Sequence, residues 1–544
     1  MKPPSNLKAW VRALDYTKAS AHRILPELLD DRAKTWAKDI ALLGEGQQYT
    51  YAELISRSNQ YARWALACFQ PGEVVCLLMA NCPEYVAIWL GLTRLGCPVA
   101  LLNTHLRPDA LEHCIQAAGS KHLITTPALR PATINARIWL VPLSDIDLYS
   151  AAPLAEPIPD PADIALLIYT SGTTGLPKAA KITHRRIVEW SCWFAGLMNA
   201  QRTDRLYNCL PMYHSVGGVV AIGAMLVRGG SVCIRARFSV TQFWHDIVKH
   251  DCTIFQYIGE LCRYLTQSPL QSNTHKLRLA CGNGLSAEVW TTFQNCFNIP
   301  QIIEYYAATE GNVSLYNLDG KPGSVGRYPA FLTQRFPVAI IRCDLETGIP
   351  QRNTAGFCIV CEADEIGEVI GAVRDSRRFD GYTDPTASQQ KLLLNAFENG
   401  DVWFRTGDLM RKDAAGYYYF VDRLGDTFRW KGENVSTLEV ANVIRDCPGV
   451  TDALVFGVAI PGQEGRAGMA AITVDARFTL ATLHAHLTGA LPEYARPVFI
   501  RLCDALETTG TFKLTKTGLV REGYTDASEP VWISDTTTGR FIPY

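Results

Sequence analysis

The sequence predicts an α/β protein: a large N-terminal domain (1–421) of parallel-rich sheets covered by helices, a hinge at 422–425, and a small, mobile α+β C-terminal domain (426–544). Three observations lead there. Short apolar runs alternate with helix-period segments from Asp39 onward, the pattern of a parallel sheet with crossover helices on both faces. The same alternation resumes after an irregular loop that follows Tyr169. A second mixed unit begins near Asp422, at glycines (Gly425 and Gly432) that accept backbone angles closed to other residues.

In chain order, "DIALLGE" (39–45), "EVVCLLMA" (73–80), "CPVALLN" (97–103) and "KHLITT" (121–126) read as strands. Ala52–Ala67, Pro83–Leu95 and Ala110–Ala118 read as the helices between them; in the second, Tyr85, Ile88, Trp89, Leu92 and Leu95 recur at helical spacing. Past the loop come helix Arg186–Leu197 and strand "GSVCIRA" (230–236). In the small domain "LEVANVIRDCPG" (438–449) and "LATLHAHLTGAL" (480–491) read as helices, with strands "DALVFGVAI" (452–460) and "GMAAITVD" (468–475) between them.

Charge narrows the function. The 544 residues carry 52 basic and 53 acidic side chains, a net charge of -1, with 48% hydrophobic residues. Such a balance gives ample core and no global attraction for nucleic acid or acidic lipid. The 17 cysteines sit mostly inside apolar runs and read as reduced core residues of a cytosolic protein. Cys358 and Cys361 form a lone Cys-x-x-Cys; on a strand, residues three apart face opposite ways, so core is expected and no metal. The N-terminus lacks a signal-peptide apolar region, and no run reaches membrane-spanning length; the nearest, Val216–Val227, stops at Arg228. A cytoplasmic protein is expected, with peripheral membrane contact and oligomeric state left open.

The segment "LLIYTSGTTGLPKAAKITH" (Leu166–His184) carries the chemistry. Thr170, Ser171, Gly172, Thr173, Thr174 and Gly175 are consecutive, followed by Pro177 and Lys178. A Walker-type loop needs Ser or Thr after its lysine and feeds a helix; here Lys178 precedes "AAKITH", an alternating strand. The loop is therefore the tip of a β-hairpin. An ordinary surface turn is shorter and seldom joins four hydroxyls to a lysine.

"YTSGTTGLPKAA" resembles the phosphate loop of the adenylate-forming enzymes: acyl-CoA synthetases, peptide-synthetase adenylation domains and luciferases. Further resemblances follow in order: "EYYAATEGN" (304–312), "RTGDL" (405–409), "DRLGDTFRWKGENVS" (422–436) and "TGTFKLTK" (509–516). "CLPMYHSVGG", "RFSVTQFWHDI", "QYIGELCRYL" and "GDTFRWKGENV" narrow the likeness to the branch of fatty-acid transport proteins and very-long-chain acyl-CoA synthetases.

The resemblance implies an ATP-dependent acid–thiol ligase, a long- or very-long-chain fatty acyl-CoA synthetase. It would form acyl-AMP from a hydrophobic carboxylic acid and pass the acyl group to coenzyme A. The implied partners are ATP, magnesium, the acid and coenzyme A. Thr170–Lys178 would hold the β- and γ-phosphates, Thr309 the α-phosphate, and Glu310 magnesium. Asp408 would accept the ribose hydroxyls and Arg423 would bond ribose or phosphate. Cys281–Leu285, with Gly282, Asn283 and Gly284, would form an adenine slot with Tyr305 and Tyr306. Lys513 would stabilise charge during adenylation, with Lys516 as its rival. Gly425 would be the hinge and Gly432 would line the pantetheine tunnel.

His214 would line or gate the acyl and pantetheine entrances, with proton abstraction from the thiol as a second role. Gly217–Gly223 (Gly217 and Gly218 included) and Gln256–Leu265 (Tyr257 included) would line an acyl tunnel, the small side chains leaving volume. Ala307 stands where the branch usually has glycine, and its methyl would narrow that path. The acid stays open: a fatty chain, a steroid side chain or a shorter acid. Two other readings remain, loading of a carrier-protein pantetheine and fatty-acid uptake by thioester trapping.

Overall fold

The computed structural model describes residues 5–143, 145–154, 158–171, 176–268, 274–345, 347–374, 378–431, 433–463, 465–509, 514–535, 538 and 540–544. The protein is α/β, and its chain divides into two compact units: residues 1–326 with 378–390, and residues 327–377 with 391–544.

The first unit holds two sheets. One has six strands in the order Arg137–Leu140, His122–Thr125, Val75–Leu78, Val99–Leu101, Ile164–Ser171, Pro177–Thr183. All its pairings are parallel except the last, which closes an antiparallel hairpin. The strands Val75–Leu78 and Val99–Leu101 are buried along their whole length, as a sheet covered on both faces requires. The helix Pro83–Arg94 starts on proline, whose fixed φ suits the first turn, and buries all but its last residue.

The other sheet has eight strands: Ser314–Asn317, Ile302–Ala307, Leu279–Asn283, Ile254–Ile258, Arg205–Asn208, Ser231–Ile234, Ile40–Gly44 and Gln47–Thr50. It is parallel inside and antiparallel only at its two edges. Every strand and helix expected in this stretch appears, with ends shifted by a residue or two.

The second unit begins with five antiparallel strands: Val338–Ile341, Gly367–Ala372, Leu392–Leu394, Val402–Lys412 and Tyr418–Arg423. Beyond them Phe428–Trp430 pairs with Glu433–Val435. A last sheet contains Val450–Val458, Ala467–Val474, Phe499–Leu502, Val531–Asp535 and Arg540–Pro543. The helices Thr437–Arg445 and Leu480–Ala490 share a core with it through Val440, Ile444, Leu483, Leu487, Met469 and Ile500. One expectation is corrected here. Cys358 and Cys361 are not on a regular strand but in a segment making single bridges, with Cys358 buried and Cys361 half-buried.

Candidate active site

The residues singled out above fall in both units. In the first, Thr170 lies opposite Lys178 across the antiparallel hairpin, and Ser171 opposite Pro177. Directly opposed residues share a face, so the hydroxyl and the cation emerge side by side. The tip, Gly172, Thr173, Thr174 and Gly175, lies outside the described residues.

The segment 379–384 runs beside the hairpin's second strand. The Gly381 carbonyl accepts from Lys181 N at 2.9 Å, the Ala179 carbonyl accepts from Thr383 N at 2.9 Å, and Ala180 bridges to Tyr382. This register puts the Tyr382 ring against Ala180 and Ala387. Its hydroxyl donates to Glu310 Oε1 at 2.7 Å and also meets Thr170. Burial, and then the facing Glu310 carboxylate, push the phenol up, so Tyr382 remains a donor at ordinary pH.

Glu310 is buried, and beside it the Thr309 hydroxyl lies 3.1 Å from that of Ser215. Arg186 fixes the backbone from which both project. It donates to the Thr309 and Glu310 carbonyls at 3.4 and 3.3 Å, to Asn312 Oδ1 at 3.4 Å and to the Arg378 carbonyl at 3.2 Å. Its Nε lies 3.6 Å from Asp380. Arg186 stands in the first turn of helix His184–Leu197, capped by the Thr183 hydroxyl. A cation is unfavourable there by the helix dipole alone. Its acceptors make the position tenable.

The loop after strand Leu279–Asn283 carries the next of the expected residues. Gly284 has φ +79°, a left-handed angle that favours glycine, and is exposed, while Asn283 is half-buried. Gly282 has no room for a side chain, because a Cβ would stand 2.2 Å from the Tyr257 carbonyl oxygen.

The two tyrosines part company. Side chains alternate along strand Ile302–Ala307, so Tyr305 is 2% exposed, its ring 4.7 Å from that of Phe194, while Tyr306 is half-buried. The expectation that both line a slot is corrected: of the pair, Tyr306 is the accessible one.

Two acyl-path expectations also change. A Cβ on Gly217 or Gly218 would come within 2.6 or 1.9 Å of the Pro211 or Met212 carbonyl oxygen, and one on Gly223 within 1.9 Å of Ser191 Oγ. These glycines admit neighbouring atoms in close contact rather than leave volume. Tyr257 is wholly buried with its hydroxyl on Glu304. It supports the sheet from inside and offers no wall to an open path. Ala307 is exposed at its strand end, opposite Ser314. His214 is half-buried, its ring 4.6 Å from that of Tyr213, and directly precedes Ser215.

In the second unit Asp408 pairs with Arg423 across neighbouring strands, and Arg423 Nε lies 3.4 Å from Asp408 Oδ1. Asp408 is buried; Arg423 is exposed. Gly407 has φ +76°, and its N–H donates at 3.2 Å to Glu368, which is fully buried and paired with Arg405. That charge pair shapes the turn that presents Asp408. Next along the chain, Asp422 accepts from Thr437 N at 2.7 Å, tying the start of helix Thr437–Arg445 to the strand end. Gly425 has φ +82° with no atom within 4 Å of an added Cβ, so conformation and not space selects glycine there. Lys516 is ion-paired with Asp426 at 2.5 Å. Lys513 and Gly432 lie outside the described residues.

Sequence reading missed Tyr382, Arg186 and Ser215. For Arg186 a signal existed: adjacent arginines, Arg185 and Arg186, open a helix whose later turns are mostly apolar and imply acceptors outside it. Tyr382 sits in "GYTDP", which reads only as a turn.

A family model for AMP-binding enzymes matches residues 29–343, and one for the AMP-binding enzyme C-terminal domain matches 439–513. The chain belongs to the AMP-binding enzyme family. Among its relatives, long-chain fatty acid transport protein 1 of Homo sapiens is 38% identical over 558 residues, 96% of this chain and 86% of that one. Long-chain fatty acid transport protein 6 of Mus musculus is 40% identical over 534 residues, 92% and 86% of the two chains. This AMP-binding enzyme shares its fold with the AMP complex of an O-succinylbenzoate coenzyme A synthetase of Bacillus subtilis. That match has a TM-score of 0.76 at 24% identity, over 92% of this chain and 98% of the other. ATP-bound MatB of Rhodopseudomonas palustris gives 0.78 at 23%, over 91% and 98%. The Bacillus subtilis enzyme in complex with ATP and magnesium gives 0.74 at 24%, over 90% and 98%.

Proposed function

We propose that this AMP-binding enzyme is an ATP-dependent acid–thiol ligase. It activates a hydrophobic carboxylic acid, a long- or very-long-chain fatty acid, as acyl-AMP and transfers the acyl group to coenzyme A. The observation that carries this reading is that Tyr382 joins Thr170 to Glu310 at the base of a hydroxyl-rich hairpin, with Thr309, next to Glu310 in the chain, meeting the Ser215 hydroxyl. In the first half-reaction two anions must meet, so catalysis consists of neutralising charge and aligning the attacking and leaving oxygens.

Lys178 and the hairpin hydroxyls hold the terminal phosphates, and Thr309 bonds the α-phosphate. Glu310 fits magnesium, a hard cation that takes one or two carboxylates and completes its shell with phosphate oxygens and water. Among the described residues no group of three His, Cys, Asp or Glu side chains is placed to hold a metal ion. Magnesium, when bound, offsets phosphate charge. Tyr382 and Arg186 keep Glu310 aimed. Asn283, Gly284 and Tyr306 receive the base, and Asp408 and Arg423 the ribose.

The pairing of Lys516 with Asp426 supports Lys513 as the charge-stabilising lysine of adenylation. We assign the small domain two orientations about Gly425, one presenting Lys513 and the other Gly432. Pyrophosphate exchange driven by acids of graded chain length, followed by addition of free coenzyme A, tests the reading. No exchange with any apolar acid would sink it. Exchange that yields thioester only on a carrier protein would replace the acceptor. The relatives' names favour one further role, uptake of fatty acids by trapping them as thioesters. No described helix is long and apolar enough to cross a membrane.

A further inference from the structure

Behind the loop 283–285 lies a carboxyl group to which the adenylation scheme gives no task. Glu304, in strand Ile302–Ala307, is 2% exposed and lies level with Gly282 and Tyr257 across three parallel strands. Its Oε1 accepts from Gly284 N at 2.5 Å and from Leu285 N at 3.2 Å. Its Oε2 lies 2.5 Å from the Tyr257 hydroxyl, which lies 3.4 Å from the Ile303 carbonyl oxygen. On the loop's other flank, Gly259 opens the helix Gly259–Gln267 so close that a Cβ would stand 1.8 Å from the Gly284 carbonyl oxygen. The loop is seated from beneath by one carboxyl and one glycine.

We propose that Glu304 is the positioning residue of this loop, and that it sets the affinity for the base end of the nucleotide. The inference rests on the adenylation reading above. The Tyr257 hydroxyl donates to Oε2, and Oε1 accepts from both loop amides. The titratable groups facing Glu304 are Tyr257 on one strand, Cys281 on the next, Cys262 on the helix and its chain neighbour Tyr305. All four are themselves pushed up by burial, and none is a cation. Burial raises Glu304 from the usual carboxylate range to about 8, opposed by the hydrogen bonds from Tyr257, Leu285 and Gly284. Ionisation would place a charge in this core with no cation beside it, at a cost to the arrangement that seats the loop.

The test is calorimetric binding of AMP, and separately of inorganic pyrophosphate, to the full chain between about pH 6.5 and 9.5, a window spanning the proton loss. Glu304→Gln keeps an acceptor for the loop amides and a polar group beside Tyr257, and it cannot ionise. It should match the unaltered chain near pH 7 and lack that chain's loss of AMP affinity above pH ~8. Glu304→Ala should bind AMP about tenfold more weakly, or worse, with pyrophosphate affinity kept.

Glu304→Ala with unchanged AMP affinity would overturn the proposal, as would equal losses for AMP and pyrophosphate. So would a Glu304→Gln variant that follows the pH profile of the unaltered chain; if Glu304→Ala fails to fold, that comparison decides. An unaltered chain that binds no AMP would instead sink the adenylation reading, and this inference with it.

Discussion

At the scale of single residues, the site depends on side chains that hold others. Tyr382 is the clearest: its hydroxyl gives Glu310 one fixed hydrogen bond in a buried setting. Tyr382→Phe keeps the ring packed on Ala180 and Ala387 and removes only the donor. We expect an unchanged fold and a magnesium requirement for pyrophosphate exchange raised by about tenfold, the worth of one charge-assisted hydrogen bond. A magnesium titration identical to that of the unaltered chain would remove Tyr382 from the site.

Glu304 gives a second, thermodynamic prediction. The folded chain keeps this proton to about pH 8, whereas the unfolded chain releases it near 4.5. Its contribution to stability is therefore complete below the lower value and is lost as pH rises toward the higher. The loss is at most ~1.4 kcal/mol per pH unit across that window. Denaturant unfolding of Glu304→Gln should lack that decline relative to the unaltered chain; parallel curves would refute it.

At the scale of elements, the hairpin is the piece most exposed to test. Lys178→Ala should raise the ATP KM or cut adenylation by ~2–4 kcal/mol of transition-state stabilisation, with acid preference unchanged. A change confined to acid preference would move the loop to the acid side. This hairpin, and the parallel strands around it, were legible because period-2 and period-3.6 apolar patterns leave little choice over short runs. The antiparallel strands from Val338 to Arg423 were not, because short strands such as Leu392–Leu394 carry too few residues to show a period. Among the candidate site residues, glycines and hydroxyls stand out in ordered motifs by type. Their surroundings do not: sequence cannot tell Tyr305 from Tyr306 until the strand's register decides which one faces Phe194. Nor can it show that Gly217 and Gly218 admit backbone rather than leave space.

At the scale of the whole molecule, the two proposed half-reactions would ask different things of one small domain. Lys513→Ala should abolish adenylate formation yet still convert supplied acyl-adenylate to thioester. Gly432→Leu should form adenylate and stall before transfer. Half-reactions slowed equally by Lys513→Ala would favour a single static arrangement and end the two-orientation proposal. The division of the chain has a further consequence, for recombination between relatives. The first unit is not one continuous stretch of chain, since residues 378–390, which bring Tyr382 to Ala180 and Glu310, return to it from within the second. Exchange of whole units between two such enzymes therefore needs three splice points, after 326, after 377 and after 390. A single crossover at 326 would set one parent's tyrosine against the other parent's hairpin and carboxylate. Hybrids made that way would inherit a mismatched joint, and parents that differ around residue 382 should yield fewer working offspring than parents that agree there.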